Sequence, residues 1–193
     1  MKLKRKLCLL VFIFGFAVGV QGQDVGIKTN LLYDATLTVN AGVEIGLAPK
    51  WSLDLSGNYN SWPVNGHKWK HWLAQPEARY WLCDRFARHF FGLHALGGQY
   101  NIGLIKNNAK FLGCDFSQLT DNRFQGWAVG AGIAYGYAFI LGQHWNLELE
   151  IGAGYIYTEY GKYECVDCGR KVDEGVHHYI GPTKAAINLV YVF

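Results

Sequence analysis

The only methionine is Met1, and proline occurs four times in 193 residues. The chain therefore has little of the flexible filler of helical cores and few of the residues that interrupt strands. Past the first two dozen residues no apolar run approaches the roughly 20 residues a spanning helix requires, which excludes helical membrane insertion of the mature chain. A cationic excess is also missing once the start of the chain is set aside. Lys2, Lys4, Arg5 and Lys6 precede an apolar run from Leu7 to Val20 and the small and polar residues Gly19, Gln21 and Gly22. That order of positive, apolar and small residues predicts a secretory signal peptide over residues 1–22, cleaved near Gly22 or Gln23. Cys8 sits deep in the apolar run with no small residues leading to it, which argues against a lipid-anchored cysteine. Losing this segment removes four of the 18 cations and none of the 15 anions, leaving a net charge of −1 and no footprint for nucleic acid.

What the chain does have is glycine and aromatic residues, with 24 Gly, 12 Tyr, 11 Phe and 7 Trp. This composition favours strands. Between residues 124 and 141, Trp127, Val129, Ala131, Ile133, Tyr135, Tyr137 and Phe139 alternate with Gly126, Ala128, Gly130, Gly132, Ala134, Gly136 and Ala138. Period two over that length is a strand with one large apolar face and one face almost without side chains. Residues 145–157 repeat the pattern, with Trp145, Leu147, Leu149, Ile151, Ala153, Tyr155 and Tyr157 set against Asn146, Glu148, Glu150, Gly152 and Gly154. Less regular copies cover 25–33, 39–47, 51–60, 72–82, 90–100 and 179–193. The last sets Thr183, Ala185, Ile187, Leu189, Tyr191 and Phe193 against Lys184, Ala186, Asn188, Val190 and Val192.

Eight such segments predict an all-β fold: an eight-stranded antiparallel up-and-down transmembrane β-barrel, one domain over residues 23–193. The connections support it. Residues 48–50, 83–89 and 142–144 form a short set, while 61–71, 101–123 and 159–178 are long, with 34–38 the compact exception. Short periplasmic turns and longer outer loops are expected of an outer-membrane barrel with both termini in the periplasm. The competing fold is a soluble barrel with its apolar face turned inward around a ligand. That arrangement would present Gly126, Ala128, Gly130 and Gly132 to water, where charged residues are expected and glycine weakens the strand. Trp51, Trp72, Trp127, Trp145, Tyr157 and Tyr191, near strand ends, suit two interfacial girdles.

Strand parity sends Lys28, Glu44, Asp54, Glu77, Arg79, Glu148, Glu150 and Lys184 into the lumen, with His94 beside them. Charges in so narrow a bore must pair, because an unpaired buried ion costs several kcal/mol. The expected arrangement is a salt-bridge plug that fixes register and fills the bore. The alternative is a proton or ion path through carboxylates such as Glu148 and Glu150. Pro76 falls inside the fourth strand, where it has no N–H to donate, and a bulge or kink is expected there.

Cys165 and Cys168 form a C-x-x-C, followed by His177 and His178. Their ligand types fit a tetrahedral zinc site, but neighbouring histidines rarely turn to one metal. A loop disulfide between the two cysteines is the simpler outcome in an oxidising compartment. Cys83 and Cys114 are expected at opposite ends of the barrel, too far apart to bridge. Ser52, Ser56, Ser61 and Ser117 show no histidine partner in the sequence pattern, so no catalytic residue and no cofactor is assigned.

Three stretches, Gly26–Asp34, Gln75–Trp81 and Gly181–Ala186, together with Lys68-Trp69-Lys70-His71-Trp72, carry a likeness to a known family. On them the chain resembles the uncharacterised Bacteroides-type barrel proteins catalogued as domain of unknown function 3575. The resemblance spans essentially the whole mature chain and implies an outer-membrane location. It brings no activity or catalytic residues, and genomic association points to fimbrial components as neighbours. Two functions follow as expectations. One is a non-enzymatic surface barrel whose loops meet lipopolysaccharide, fimbrial or other envelope proteins or host molecules, or which stabilises the envelope. The other is an enzyme that modifies lipid A.

Overall fold

The computed structural model describes residues 25–64, 67–103, 110–111, 114–115, 122–164 and 169–193, with no side-chain detail for 63–69, 110–111 and 114–115. The expected signal peptide and the pair Cys165 and Cys168 lie outside the described residues. Eight long strands carry the fold: β1 (Val25–Asn30), β2 (Val39–Ala48), β3 (Trp51–Asn60), β4 (His67–Trp81), β5 (Arg88–Gly103), β6 (Arg123–Ile140), β7 (Trp145–Tyr163) and β8 (Lys171–Val192). Each pairs antiparallel with its sequence neighbours, β1 pairs with β8, and the sheet thereby closes into a ring. No helix among the described residues is long and apolar enough to cross a membrane.

Alternation of small and large residues sets the two faces. On β6, Trp127, Val129, Ile133, Tyr135 and Phe139 are exposed on the outside, while Ala134, Gly136 and Ala138 are buried inside. On β7, Trp145, Leu149, Ile151 and Tyr155 face out, and Asn146, Glu148 and Glu150 are buried. The connections 49–50, 82–87 and 141–144 gather at the end of the ring that holds Val25 and Phe193, whose backbone N–H donates to Val25 at 2.9 Å.

Several boundaries differ from the sequence reading. The stretch 159–178, expected as a loop, is mostly ladder: β7 and β8 remain paired as far as Tyr163↔Lys171. In this stretch Glu159, Lys162, Asp173 and Glu174 stand among Val172 and Val176, and their charge hides a strand periodicity that the backbone keeps. β4 likewise begins at His67, and its start pairs with a two-residue strand at Pro63–Val64. β1 ends earlier than expected, at Asn30, whose side chain accepts from the Leu32 N–H at 3.1 Å and caps a helical turn, α1 (Leu31–Ala35).

No bulge forms at Pro76. The β4–β5 ladder omits Gln75 and Pro76, yet Ala74↔Gly97 and Glu77↔His94 keep one register. A missing N–H deletes hydrogen bonds without requiring an extra residue. Register shifts lie elsewhere, one of them on β8, where Gly152 pairs with Lys184 and Ala153 with Pro182, leaving Thr183 over. That surplus residue turns Thr183 inward, not outward as simple alternation places it.

Candidate functional site: the charged interior

Even positions on β1, β2, β3, β7 and the lower part of β8, and odd positions on β4, bring the eight expected lumen residues together. Lys28, Glu44, Asp54, Glu77, Arg79, Glu148, Glu150 and Lys184 are all buried. Arg79 is the hub. Its Nε lies 2.6 Å from Glu77, Nη1 lies 2.7 Å from Glu44 and 3.0 Å from Glu148, and Nη2 lies 2.7 Å from Glu150 and 3.1 Å from Asp54. Only the forked guanidinium has enough directed N–H groups to meet so many carboxylates at once. Lys28 joins Glu44 (2.5 Å), Asp54 (3.1 Å) and Glu148 (3.4 Å) on one side. Lys184 joins Glu77 (2.8 Å) and Glu150 (2.9 Å) on the other. His94 reaches toward Glu77 from 3.8 Å and shares a 2.9 Å hydrogen bond with Thr183, the residue the bulge turns inward.

Glycine makes the space. A Cβ on Gly92 would stand 2.6 Å from the Glu77 carboxyl carbon, and one on Gly42 would stand 2.8 Å from Lys28 Cγ. At Gly132 and Gly152 it would meet the His94 ring at 2.9 Å. The almost bare face that the alternation produces is thus occupied by long polar side chains from strands one or two away. Five carboxyl groups face three fixed cations, so acidic groups outnumber basic ones in the cluster. Asp54 Oδ1 and Glu148 Oε1 are buried and accept no hydrogen bond among the described residues.

Below the charges, toward the chain termini, lies an apolar layer whose one member beyond the reach of parity is Phe86. Trp81, Phe86, Phe90, Ala138, Val190 and Val192 form a buried cluster. Trp81 and Phe90 are simply the inward members of their strands. Phe86 belongs to the turn before β5, sits at φ 59° and folds back under the ring, where its carbonyl accepts from Asn146 Nδ2 at 2.6 Å. Ser52 ties this layer to the charges: its hydroxyl accepts from Trp81 Nε1 at 2.8 Å and donates to Glu44 at 2.5 Å.

Above the charges the ring widens into an outer cup of about 820 Å³, lined by groups including Tyr100, Tyr160, Asn101, Gln125 and Lys171. The Tyr100 hydroxyl shares a 2.8 Å hydrogen bond with the Thr158 hydroxyl, two strands away. At the tip of the β7–β8 hairpin the hydrogen bond from Lys171 draws the Glu174 carboxyl below its usual range.

The remaining candidates are not brought into one site. His177 and His178 lie on opposite faces of β8, and His178 shares a 2.5 Å hydrogen bond with the Tyr155 hydroxyl outside. No group of three or more metal-binding side chains occurs among the described residues. Cys83 is an exposed free thiol in the turn after β4, and the side chain of Cys114 lies outside the described ones. Ser52 and Ser56 bond to Glu44, Trp81 and the Gln75 carbonyl instead of a histidine.

A family model described as protein of unknown function (DUF3575) matches residues 8–193. No curated protein and no solved structure matches the chain.

Proposed function

The chain belongs to the DUF3575 family over residues 8–193, and on that premise we propose that it is a non-conducting, non-enzymatic transmembrane β-barrel of a bacterial outer membrane. Both termini lie in the periplasm, and the outer cup faces lipopolysaccharide and envelope or surface partners, fimbrial components among them. The observation that carries this reading is the inversion of the two faces. Leu93, Ile133, Ile151 and Ile180 stand 63–79% exposed on the outside, while Arg79, Glu44, Glu77 and Glu148 are fully buried within. A water-soluble protein rarely exposes a continuous apolar belt of this kind, whereas lipid requires one.

Aromatic pairs border the belt. Trp51 with Tyr80 (5.1 Å between ring centres) and Trp145 with Tyr191 (5.0 Å) lie toward the terminal end, and Trp127 with Tyr157 (5.6 Å) toward the cup. Rings with an apolar body and a polar tip favour the two membrane interfaces. Inside, an eight-stranded ring is too narrow for an open channel, and here both a charged layer and an apolar layer cross it. The test is extraction and migration. The mature protein should need detergent to stay dispersed and should migrate faster on a gel unheated than boiled. Monodisperse behaviour in plain buffer refutes the reading. Crosslinking from intact cells then identifies what the cup meets.

A further inference from the structure

The ring is complete only in its lower half. β1 has six residues and β8 has 22, and their pairing ends at Asn30↔Asn188. Side-chain amides carry the contact as far as Ala185: Asn30 Oδ1 accepts from the Ile187 N–H at 3.2 Å, Asn30 Nδ2 donates to the Ala185 carbonyl at 3.4 Å, and Asn40 Oδ1 accepts from the Asn30 N–H at 2.6 Å. Residues 171–186 of β8 pair with β7 on one side and with no strand on the other, among the described residues. The facing bank is α1 and the start of β2.

Behind this gap lies a chamber of about 310 Å³ that shares no lining residue with the outer cup. Its walls include Ala41 and Ala185 from the two banks and Asp54, Asn58, Gln75 and Lys184 from within, so it opens sideways. A strand from a partner is a poor occupant. Pro182 has no N–H to offer along this edge, its carbonyl accepts from the Tyr179 hydroxyl at 3.3 Å, and the bulge at Thr183 breaks the edge's regularity.

The chemistry of the walls selects a different occupant. Lys28 and Lys184 are held by carboxylates, and carboxyl groups outnumber fixed cations five to three, so an anionic group entering here meets like charge. Asp54 Oδ1 and Asn58 Oδ1 are buried acceptors without a hydrogen bond among the described residues. A guest that donates hydrogen bonds fits them. Outside, the banks are apolar: Leu31, Leu37, Val39 and Ile180 are exposed, and Leu37 is held outward at φ 55°, a conformation unusual for leucine.

We propose that this side opening admits the hydrogen-bond-donating, non-anionic head group of a membrane amphiphile into the chamber, its acyl chain lying against the apolar banks. The inference rests on the membrane reading above. Native mass spectrometry of the full mature chain with dodecyl glucoside, dodecylamine and dodecyl phosphate tests it. A one-to-one adduct with the glucoside or the amine should half-saturate at least about tenfold below the phosphate, and those two arms separate hydroxyl from ammonium donors. Ala41→Trp and Ala185→Trp, which narrow the opening from its lipid side, should each weaken that adduct about tenfold. Leu93→Trp, on the opposite wall of the ring, should leave it unchanged. Equal half-saturation by all three amphiphiles, or Trp variants at the opening that behave like Leu93→Trp, overturns the proposal. A chain that stays monodisperse without detergent instead refutes the membrane reading, and the adducts remain measurable in buffer.

Discussion

The Arg79 guanidinium lies 4.4 Å from the centre of the Phe90 ring. Its edge meets carboxylates while its face rests on the apolar layer, so one side chain couples the two halves of the interior. A planar cation can do both because its in-plane N–H groups take the charges and its weakly hydrated face tolerates an aromatic neighbour. The position of Phe90 in turn depends on Gly136, where a Cβ would stand 2.2 Å from Phe90 Cζ.

Removing the hub should be expensive. Arg79→Leu leaves five buried carboxylates with only Lys28 and Lys184 between them, and breaking a buried charge network by removing one partner costs about 3–5 kcal/mol. Arg79→Lys should recover little, since an ammonium lacks the planar fork. Lys171→Ala, which removes an exposed pair with Glu174, should leave the unfolding midpoint unchanged. Urea unfolding in detergent micelles, followed by tryptophan fluorescence, measures all three. Equal midpoints for Arg79→Leu and the native chain contradict the assigned network.

Gly136→Ala should lower stability by about 1–3 kcal/mol, because the Phe90 ring stands against the backbone there and must leave its place to admit a methyl group. Phe90→Leu frees that space. Its combination with Gly136→Ala should therefore cost less than the two single changes added together, and a double-mutant cycle in the same unfolding assay shows the coupling. Strict additivity contradicts this packing.

Alternation made much of this interior readable beforehand. Glu148 and Glu150 sit on the same face as Gly152 in the sequence, and the structure places all three inside. What parity does not carry is any event that changes it. Thr183 looks outward by counting, but a single surplus residue beside Pro182 turns it to His94. Phe86 belongs to a turn, for which periodicity makes no statement, and only the closure of the ring brings it beneath Trp81 and Phe90. The upper arms of β7 and β8 were hidden for a related reason: where charged residues interrupt the apolar alternation, composition stops reporting which residues pair. The early end of β1 follows from Asn30 acting as a helix cap, a local competition that a strand pattern running on through Leu31 and Leu32 conceals.

The apolar layer should be the tighter of the two seals. Reconstituted in a planar bilayer, the native protein should show no conductance steps. Phe86→Ala combined with Phe90→Ala removes two rings from the layer between the charges and the terminal end, and water can then reach the ion-paired layer from below. Small, cation-preferring steps are expected, since the cluster is net negative. Silence from the double variant, with its folded migration intact, would assign the seal to the charged layer alone.

Orientation can be read from one native thiol. Cys83 is exposed in the turn between β4 and β5, at the end of the ring where Val25 and Phe193 meet. With Cys114, Cys165 and Cys168 replaced by serine, a membrane-impermeant maleimide should leave Cys83 unlabelled in intact cells and label it once the outer membrane is permeabilised. Moving the thiol to the far hairpin, as Lys171→Cys together with Cys83→Ser, should reverse that outcome, because Lys171 ends the paired arms of β7 and β8 on the side of the cup. Outer-membrane barrels carry short turns at the periplasmic end and longer loops outside. Labelling of Cys83 in intact cells would place the short turns outside, turn the cup toward the periplasm, and leave the proposed surface role without a surface.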